Sequence, residues 1–358
     1  MSGMWGSNLK VSIFGESHGA AIGITIDGLP SGFPIDMDEV LKEMARRAPG
    51  KSKLSTARKE ADKPEILSGF FEGKTTGTPL CAIIRNGDQH SKDYGKMKSL
   101  MRPGHGDYPG FIKYNGFNDY RGGGHFSGRI TAPLVFAGAV CKQILAEKGI
   151  VIGAHVKNIG NVEDKSFKDI ELSKEMLTEF KEYELPLILK DKEELIRNEV
   201  AAAREDLDSV GGSIECAVIG IDAGLGDPFF DSVESEIAHM MFSVPAIKWI
   251  EFGKGFEMSR LRGSQCNDEY YYDKDGTVKT YTNNNGGITG GITNGMPIIF
   301  KVAVKPTPSI AKKQRTINIE TKDNESLEII GRHDSCIVQR AVPVIEAATA
   351  IAVLNLYN

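Results

Sequence analysis

The chain has 358 residues with a formal net charge of −5, and 41% of its residues are hydrophobic and 25% charged. These fractions are close to those of an average globular protein and exclude a disordered or fibrous chain. The longest apolar stretches are interrupted by Thr131 and Pro133 and by Pro343 and Glu346, so no transmembrane helix is expected. The N-terminus lacks the pattern of a secretory signal, and five widely spaced cysteines suit a reducing compartment, which predicts a cytoplasmic protein.

The sequence predicts short strands along most of the chain, with a few helices between them. Asp36 is expected to cap an early helix, because apolar residues at helical spacing follow it. Two further helices, over 130–148 and 340–356, are hydrophobic on nearly all sides and should be buried. The tract 96–128 is rich in loop residues. Other helices are predicted over 172–183, over 192–208 and from Asp231, and strands in LKVSIFG, AAIGITIDG, EILSGFFEG and PLCAIIRNG, over 150–160, 212–221, 247–253, 256–262 and 297–304, and in the hairpin YYYDKDGTVKTYT.

The order of these elements favours the α+β class. Strands outnumber helices and often follow one another directly, and the two most apolar helices lie far apart in the sequence. A layered α+β architecture accommodates that order better than a doubly wound parallel sheet. No Pro/Gly/Ser linker or low-complexity run divides the chain, so residues 1–358 are interpreted as a single domain.

Glycine and local charge point to an anionic ligand. Glycine accounts for 40 of the 358 residues, where about 7% is ordinary. It is concentrated in short clusters such as 122–124 and 286–291, which indicates close approach of the backbone to a ligand. Between Lys42 and Lys63 there are eight basic and three acidic residues, which suits a small phosphorylated anion. Nucleic acid is the rival interpretation, and the acidic net charge and the single basic cluster argue against it.

Several common site motifs are excluded by their spacing. GFFEGKT has three residues between its glycines instead of the four of a phosphate-binding P-loop, and no helix follows it. GGGHFSGR does not match the dinucleotide fingerprint. The seven histidines and the cysteines show no paired spacing typical of metal ligands, so no metal is expected.

Two histidines lie in loops that could carry acid–base chemistry. His18 in GESHG follows Ser17, and neighbours in an extended segment point to opposite sides, so a catalytic role needs partners far along the chain. A buried structural histidine is the alternative. His105 in RPGHGDYPG stands near Arg102, which together offer an anion donor and a group that titrates near neutrality. An ordinary polar turn is the alternative there.

Two further loops precede the apolar helices. GGGHFSGR supplies backbone N–H groups and Arg129 at a helix N-terminus, which is typical of a phosphate site. GRHDSC contributes Asp334, and KPTPSIAKKQR adds hydroxyl and ammonium donors. The residues alone therefore indicate an enzyme that acts on a phosphorylated small molecule with a phosphate-bearing cofactor, and they leave the reaction open.

Taken in order, FGESHG, RRAPG, RPGHGDY, DYRGGGHFSGR, LRGSQCNDE, NNNGGITGGITNG, KPTPSI and GRHDSCIVQRAVPVIEA closely resemble the chorismate synthase family. The resemblance covers essentially the whole chain. It implies a β-α-β sandwich fold, a homotetramer and bound FMN in its reduced form. It also implies a lyase that converts 5-enolpyruvylshikimate 3-phosphate to chorismate and phosphate, the last step of the shikimate pathway to aromatic amino acids.

The resemblance assigns roles to individual residues. His18 would protonate the departing phosphate, His105 would lie against the reduced flavin, and Asp334 with Ser17 would take the proton from flavin N5. Substrate carboxylates and phosphate, or NADP, would be held by Arg47, Lys53, Arg102 and Arg129. The flavin contacts would be His125, Phe126, Ser127, Pro245, Ala246, Gly290, Lys305, Pro306, Thr307, Pro308, Ser309 and Arg332, the last of which also matches a substrate position.

The chain departs from the family pattern at a few positions. GGGHFSGRIT stands where many members have GGGRxSARET, so His125, Gly128 and Ile130 replace an arginine, an alanine and a glutamate. Lys53 stands where arginine is common, and Ala48 interrupts a run that is often three arginines. The serine and arginine of the first motif and both loop histidines are retained.

Two other classes of function use the same loops. A flavin reductase or other NAD(P)H oxidoreductase would oxidise NADPH without the shikimate substrate, whereas the lyase would release phosphate without consuming reductant. A non-catalytic anion-binding module would tolerate loss of His18 and His105. The lyase hypothesis is preferred, because a binding module needs no acid–base groups in three glycine-rich loops. Its reduced flavin would be supplied by the chain itself or by an external flavin reductase.

Overall fold

A computed structural model describes residues 3–50, 62–87, 98–329 and 334–357 of the chain. Its first sheet is antiparallel and is built mainly from the N-terminal strands. These are β1 (Met4–Trp5), β2 (Lys10–Gly15), β3 (Ala21–Asp27), β4 (Pro64–Ser68) and β7 (Leu80–Arg85), in the spatial order β1-β2-β3-β7-β4. Alternating β-branched and apolar residues give β3 and β7 a buried face.

The second sheet is also antiparallel and comes from the middle of the chain. It contains β8 (Val151–Ile159), β9 (Val162–Glu163), β10 (Gly212–Ile219), β11 (Ile247–Phe252) and β16 (Ile298–Val304), in the order β11-β16-β10-β8-β9. Two-stranded hairpins surround the sheets: β5 (Phe70–Phe71) with β6 (Lys74–Thr75), β12 (Tyr270–Tyr272) with β13 (Val278–Thr280), β14 (Ile288–Thr289) with β15 (Ile292–Thr293), and β17 (Gln314–Ile317) with β18 (Asn324–Leu327).

The most apolar helices lie between the two sheets. The helices are α1 (Met37–Arg47), α2 (Asp107–Lys113), α3 (Thr131–Glu147), α4 (Lys174–Glu179), α5 (Lys192–Glu205), α6 (Val233–Ser243), α7 (Gly263–Cys266) and α8 (Val338–Tyr357). Helix α3 contacts β3 and β7 of the first sheet, and α8 contacts β8 and β10 of the second. The two helices cross closely at Gly138, where a Cβ atom would lie 2.2 Å from Cβ of Ala347. The predicted α+β class is confirmed, as two sheets enclosing a helical layer.

Two apolar helices also meet the length and composition expected of a membrane span. They cover Gly128–Glu147 and Val338–Tyr357, and 78% of each apolar window is buried inside the fold. Core helices of the kind seen here pass the same test, so this is weak evidence for a membrane. No membrane span is expected from the sequence, because Pro133 and Pro343 interrupt its apolar stretches. In the structure both prolines lie inside the two helices.

Most predicted elements agree with the structure to within a few residues, including the helix expected from Asp231, and two do not. The strand predicted over 256–262 is wrong, because Gly255–Arg260 forms a 3₁₀ helix. The helix predicted from Asp231 begins at Val233, where the Ser232 hydroxyl caps it by accepting from the Ser235 N–H at 3.1 Å. The loop-rich tract contains α2, which its proline and glycines concealed. Asp36 caps α1 as predicted.

A buried charge cluster joins the helices of the central layer. The Glu346 carboxylate on α8 accepts from the Arg46 guanidinium at 2.6 and 3.0 Å and from Lys142 Nζ at 2.5 Å. Glu346 also accepts from the Ala154 N–H at 3.1 Å. The Glu43 carboxylate accepts a hydrogen bond from Lys142 Nζ. Burial opposes ionisation of Glu346, but the two cations outweigh it and lower its pKa.

We expect Glu346→Gln to destabilise the protein strongly. The substitution keeps the side-chain shape and removes one buried negative charge, so Arg46 and Lys142 would share only Glu43. Breaking a buried ion pair in this way costs about 3–5 kcal/mol. Urea unfolding measures the change, with exposed Glu65→Gln as the control, and equal stability of the two variants would contradict this account.

Candidate active site

Three consecutive glycines, Gly122–Gly124, form a turn between the two loop histidines. All three have positive φ angles, of 59°, 89° and 54°, a region that favours glycine. A Cβ on Gly122 would lie 2.1 Å from His18 Cε1, and one on Gly123 would lie 3.1 Å from His105 Cε1 and Nε2. His18 therefore packs against Gly122 and His105 against the next residue, Gly123, although the two histidines lie far apart in the sequence.

We expect Gly122→Ala to lower kcat about 10²-fold, because the new methyl group would displace the His18 ring and strain the turn, and small misplacements of reacting groups cost this much. Gly128→Ala is the matched control, since nothing lies within 4 Å of a Cβ there. Steady-state turnover of both variants measures the effect. An active Gly122→Ala enzyme would show that the turn does not position His18.

The loop of His18 is a turn and not an extended segment. The Gly19 N–H donates to the Glu16 carbonyl at 3.0 Å, and Ser17 Oγ lies 3.2 Å from His18 Nδ1. The prediction that Ser17 and His18 point apart is therefore wrong, because it assumed extended backbone. Ser17 Oγ also donates to the Arg121 carbonyl at 3.2 Å. Since a hydroxyl has one hydrogen, Ser17 accepts from His18 Nδ1–H, which places a proton on that nitrogen.

The loop of His105 is held by Asp107 at the start of α2. The Asp107 carboxylate accepts from Arg102 Nε at 2.7 Å and Nη2 at 2.8 Å, and His105 Nδ1 lies 2.7 Å from it. Burial disfavours the charged carboxylate, but hydrogen bonds from Arg102 and His105 outweigh it and hold the pKa of Asp107 well below its usual range. Arg102 is thus engaged within its own loop, and its predicted contact with substrate stays a prediction.

The predicted flavin segment 305–309 packs against this histidine loop. Lys305 Nζ donates to the Gly104 carbonyl, and Arg102 Nη1 lies 3.5 Å from Ser309 Oγ. The Lys305 N–H donates to the Ala246 carbonyl at 2.9 Å, which brings Ala246 and the preceding Pro245 to the same region. Burial and the nearby Lys248 lower the pKa of Lys305. Three segments that lie far apart in the sequence are therefore in contact.

Thr307 in that segment has a buried hydroxyl with an unsatisfied hydrogen bond. Its Oγ1 is inaccessible and has no hydrogen-bond partner among the described residues, whereas its carbonyl accepts from Ser209 Oγ at 2.7 Å. The flanking Pro306 and Pro308 provide no backbone N–H, and Pro308 lies beside Gly104. A buried hydroxyl in this state is a position where a ligand or water would supply a partner.

Arg47 and Arg129 converge on one carboxylate, that of Asp62. Arg47 donates to Asp62 Oδ2 from Nε at 3.0 Å and from Nη2 at 2.5 Å, and Arg129 Nη1 donates to Oδ1. All three side chains are at most 8% exposed. Burial and the neighbouring Arg340 and Arg129 lower the pKa of Arg47, while Asp62 opposes that shift. Two buried guanidiniums therefore share the Asp62 carboxylate.

Asp334 is connected to this arginine cluster through Arg340 on α8. Arg340 Nη1 donates to Asp334 Oδ2 at 2.6 Å, and Arg340 Nε donates to the Arg47 carbonyl at 3.1 Å. The candidate acid–base carboxylate and a candidate substrate arginine therefore share one partner. Lys53 and Arg332, both predicted to bind ligands, lie outside the described residues.

The remaining predicted flavin residues have varied settings. His125 is exposed, with Nδ1 2.9 Å from the Gly15 carbonyl. The Phe126 ring packs on α2, where a Cβ on Gly110 would lie 2.6 Å from it. Ser127 Oγ accepts from the Arg129 N–H at 3.3 Å and caps a 3₁₀ turn. Gly290 lies at the tip of the β14–β15 hairpin, with open space where a Cβ would be. The roles of these residues stay predictions.

Three residues that the sequence did not single out hold this site together. Asp62 joins the two arginines, Arg340 joins Asp334 to α1, and Asn86 connects Arg129 to the His18 loop. The segment RRAPGKSKLSTAR, which lies in the basic stretch between Lys42 and Lys63, indicates a site that contains arginine. No local signal in the sequence indicates which acidic residue would complete it.

A separate cleft of about 610 Å³ lies over the outer face of the second sheet. Its lining includes Lys157 and Lys301, which are paired with Glu163 and Glu251, and it shares only Pro306 with the predicted site. Across the described ranges, no three histidine, cysteine or acidic side chains are grouped so as to hold a metal ion. Both loop histidines therefore lie at the triglycine turn and not in this cleft.

Comparisons with known proteins show the family to which this chain is similar. Residues 9–357 match the sequence profile described as chorismate synthase. The chain is 44% identical to the chorismate synthase of Dehalococcoides mccartyi, over 99% of this chain and 96% of the relative. It is 45% identical to that of Thermococcus kodakarensis, over 98% and 96%. A crystal structure of chorismate synthase superposes with a TM-score of 0.77 at 32% identity, covering 98% of this chain and 92% of the other. The chain belongs to the chorismate synthase family.

Proposed function

We propose that the protein converts 5-enolpyruvylshikimate 3-phosphate to chorismate and phosphate by an anti-1,4-elimination, as a carbon–oxygen lyase at the end of the shikimate pathway. Family membership over nearly the whole chain supports this reaction. The observation that carries it is the Gly122–Gly124 turn, which packs against His18 at Gly122 and against His105 at Gly123. The substrate carries carboxylate and phosphate groups, which are the groups that guanidiniums such as those of Arg47 and Arg129 bind in a bidentate manner.

The cofactor that we propose is FMN in its reduced form. When bound, reduced flavin supplies an electron-rich ring to a reaction that has no net redox change. Two observations fit a phosphate-bearing compound beside the His105 loop: the Thr307 hydroxyl, which lacks a partner among the described residues, and the Lys305 cation in the same segment. These residues would hold the cofactor, together with Ala246 and Ser309.

Acid catalysis at the phosphate is assigned to His18. Ser17 accepts a hydrogen bond from His18 Nδ1, so the ring is oriented by that contact and Nε2 is the nitrogen that transfers a proton. A proton delivered to the departing phosphate neutralises charge as the C–O bond breaks. General acid catalysis of this type contributes about 10²–10⁴-fold to the rate.

The other residues bind and orient. Arg47 and Arg129, held by Asp62, would bind the substrate anions through their guanidinium groups. Asp107 fixes the ring of His105, so that Nε2 faces the triglycine turn. Asp334, oriented by Arg340, would accept the proton released during the reaction.

We further propose a homotetramer that works in the cytoplasm. Large apolar side chains are strongly exposed, with Phe117 92%, Phe229 86% and Phe230 90% accessible. Exposed apolar groups of this size are typical of contacts with another chain. Sedimentation equilibrium tests the stoichiometry.

The reduced flavin would come from an external flavin reductase or from an NADP-dependent activity of the chain itself, and NADPH oxidation by the purified protein without substrate separates these sources.

An anaerobic assay tests the proposed reaction. The protein is incubated with 5-enolpyruvylshikimate 3-phosphate and FMN reduced in advance by dithionite, and chorismate and phosphate are measured over many turnovers. We expect equal amounts of both products without consumption of reductant per turnover. Absence of chorismate would refute the lyase, and NADPH oxidation without it would indicate an oxidoreductase.

A further inference from the structure

Asn86, which follows β7, connects the His18 loop with a substrate arginine. Its side-chain Nδ2 donates to the Glu16 carbonyl at 3.0 Å and to the Gly19 carbonyl at 2.9 Å. Its Oδ1 accepts from Arg129 Nε at 3.2 Å. One short side chain therefore contacts both ends of the turn that carries Ser17 and His18, and also a guanidinium of the anion cluster.

The partners of Asn86 determine which way its amide points. Arg129 Nε can only donate, so the atom facing it must be the oxygen, and two backbone carbonyls can only accept, so the atom facing them must be the nitrogen. Both N–H groups of the amide are used, and no rotation by 180° would preserve all three bonds. An aspartate at this position would retain an acceptor for Arg129 and would lose both donors to the turn.

The contacts continue beyond Arg129. Arg129 binds Asp62, which binds Arg47, whose carbonyl accepts from Arg340, the partner of Asp334. Asn86 connects this series of hydrogen bonds to the His18 turn. The position of His18 relative to the bound anion thus depends on a side chain that contacts neither the imidazole nor, in our proposal, the substrate.

We propose that Asn86 is a positioning residue that fixes the His18 turn relative to the Arg129 guanidinium. This inference rests on the proposed function, because it takes His18 as the acid and Arg129 as a substrate ligand. The fold does not depend on the Asn86 side chain: it is half-buried at the end of a strand, and the Asn86 N–H separately donates to the Ala20 carbonyl at 3.2 Å. Substitution should therefore loosen one turn while the sheet remains intact.

Two variants separate the two halves of this link. Asn86→Asp retains the acceptor for Arg129 and places a carboxylate against two carbonyl oxygens, so we expect kcat to fall about tenfold or more with KM changed less than about threefold. Asn86→Ala loses both halves, so we expect a similar fall in kcat and a KM raised about tenfold. Arg85→Ala is the control, because the exposed Arg85 side chain forms an ion pair with the exposed Glu65, and such surface pairs contribute little to stability.

Hydrogen exchange provides a readout that does not require the reaction. We expect faster exchange in peptides covering 12–22 in both Asn86 variants, unchanged exchange in Arg85→Ala, and unfolding temperatures close to wild type in all three. Wild-type kcat in Asn86→Asp, or faster exchange throughout the chain, would overturn the positioning role. If the wild-type protein makes no chorismate, the proposed function fails, and exchange at 12–22 alone still decides whether Asn86 fixes the turn.

Discussion

Replacing His18 by alanine should lower kcat about 10²–10⁴-fold, which is the range that general acid catalysis supplies. The ring is 7% exposed, and it packs against the triglycine turn and Ser17. Removing it takes away the group that protonates the phosphate and leaves the anion cluster of Arg47 and Arg129 unchanged. We therefore expect KM to change far less than kcat, measured by chorismate formation under anaerobic conditions.

The matched control for this variant is His239→Ala on α6, where the imidazole packs beside Trp5 away from the turn. We expect near wild-type turnover from the control. The pH profile adds a second check, because the limb due to the acid should disappear in the His18 variant only. A His18→Ala enzyme within about threefold of wild-type kcat would exclude His18 as the acid.

Asp334→Asn should also slow turnover, by about 10²-fold or more, with little change in substrate affinity. Asparagine keeps the size of the side chain and an oxygen for Arg340, so the local structure should persist. It cannot accept a proton as a carboxylate does. Single-turnover kinetics with pre-reduced FMN would separate the chemical step from binding.

Arg340→Lys is a useful companion to the Asp334 variant. It retains a positive charge near Asp334 but removes the contact to either Asp334 or the Arg47 carbonyl, since an ammonium lacks the spread of the guanidinium. We expect a smaller loss than in Asp334→Asn. If Asp334→Asn only weakens substrate binding while kcat is retained, the carboxylate is not the proton acceptor.

The architecture could be predicted where local patterns were strong. Helices α3 and α8 were identified because they are apolar on nearly every side, and the structure places them between the sheets. Helix α2 was missed because Pro109 and Gly110 suppress helix signals, although proline is tolerated in a first turn. The strand predicted over 256–262 is wrong, because the left-handed Gly255 starts a 3₁₀ helix there instead.

The site was only partly predictable, because its members meet across long stretches of chain. The resemblance named His18 and His105, but no local pattern could show that His18 packs against Gly122 and His105 against Gly123. Asn86 is missing from the prediction for the same reason: it looks like an ordinary residue after a strand. Its importance lies in three bonds to distant parts of the chain.

The central claim is that one site, at the triglycine turn, binds both cofactor and substrate. A crystal structure of the protein with FMN and 5-enolpyruvylshikimate 3-phosphate tests it most directly. We predict the flavin ring beside His105 and Gly123, and the substrate phosphate within hydrogen-bond distance of His18. Ligands bound instead in the cleft over the second sheet, remote from both histidines, would contradict the claim.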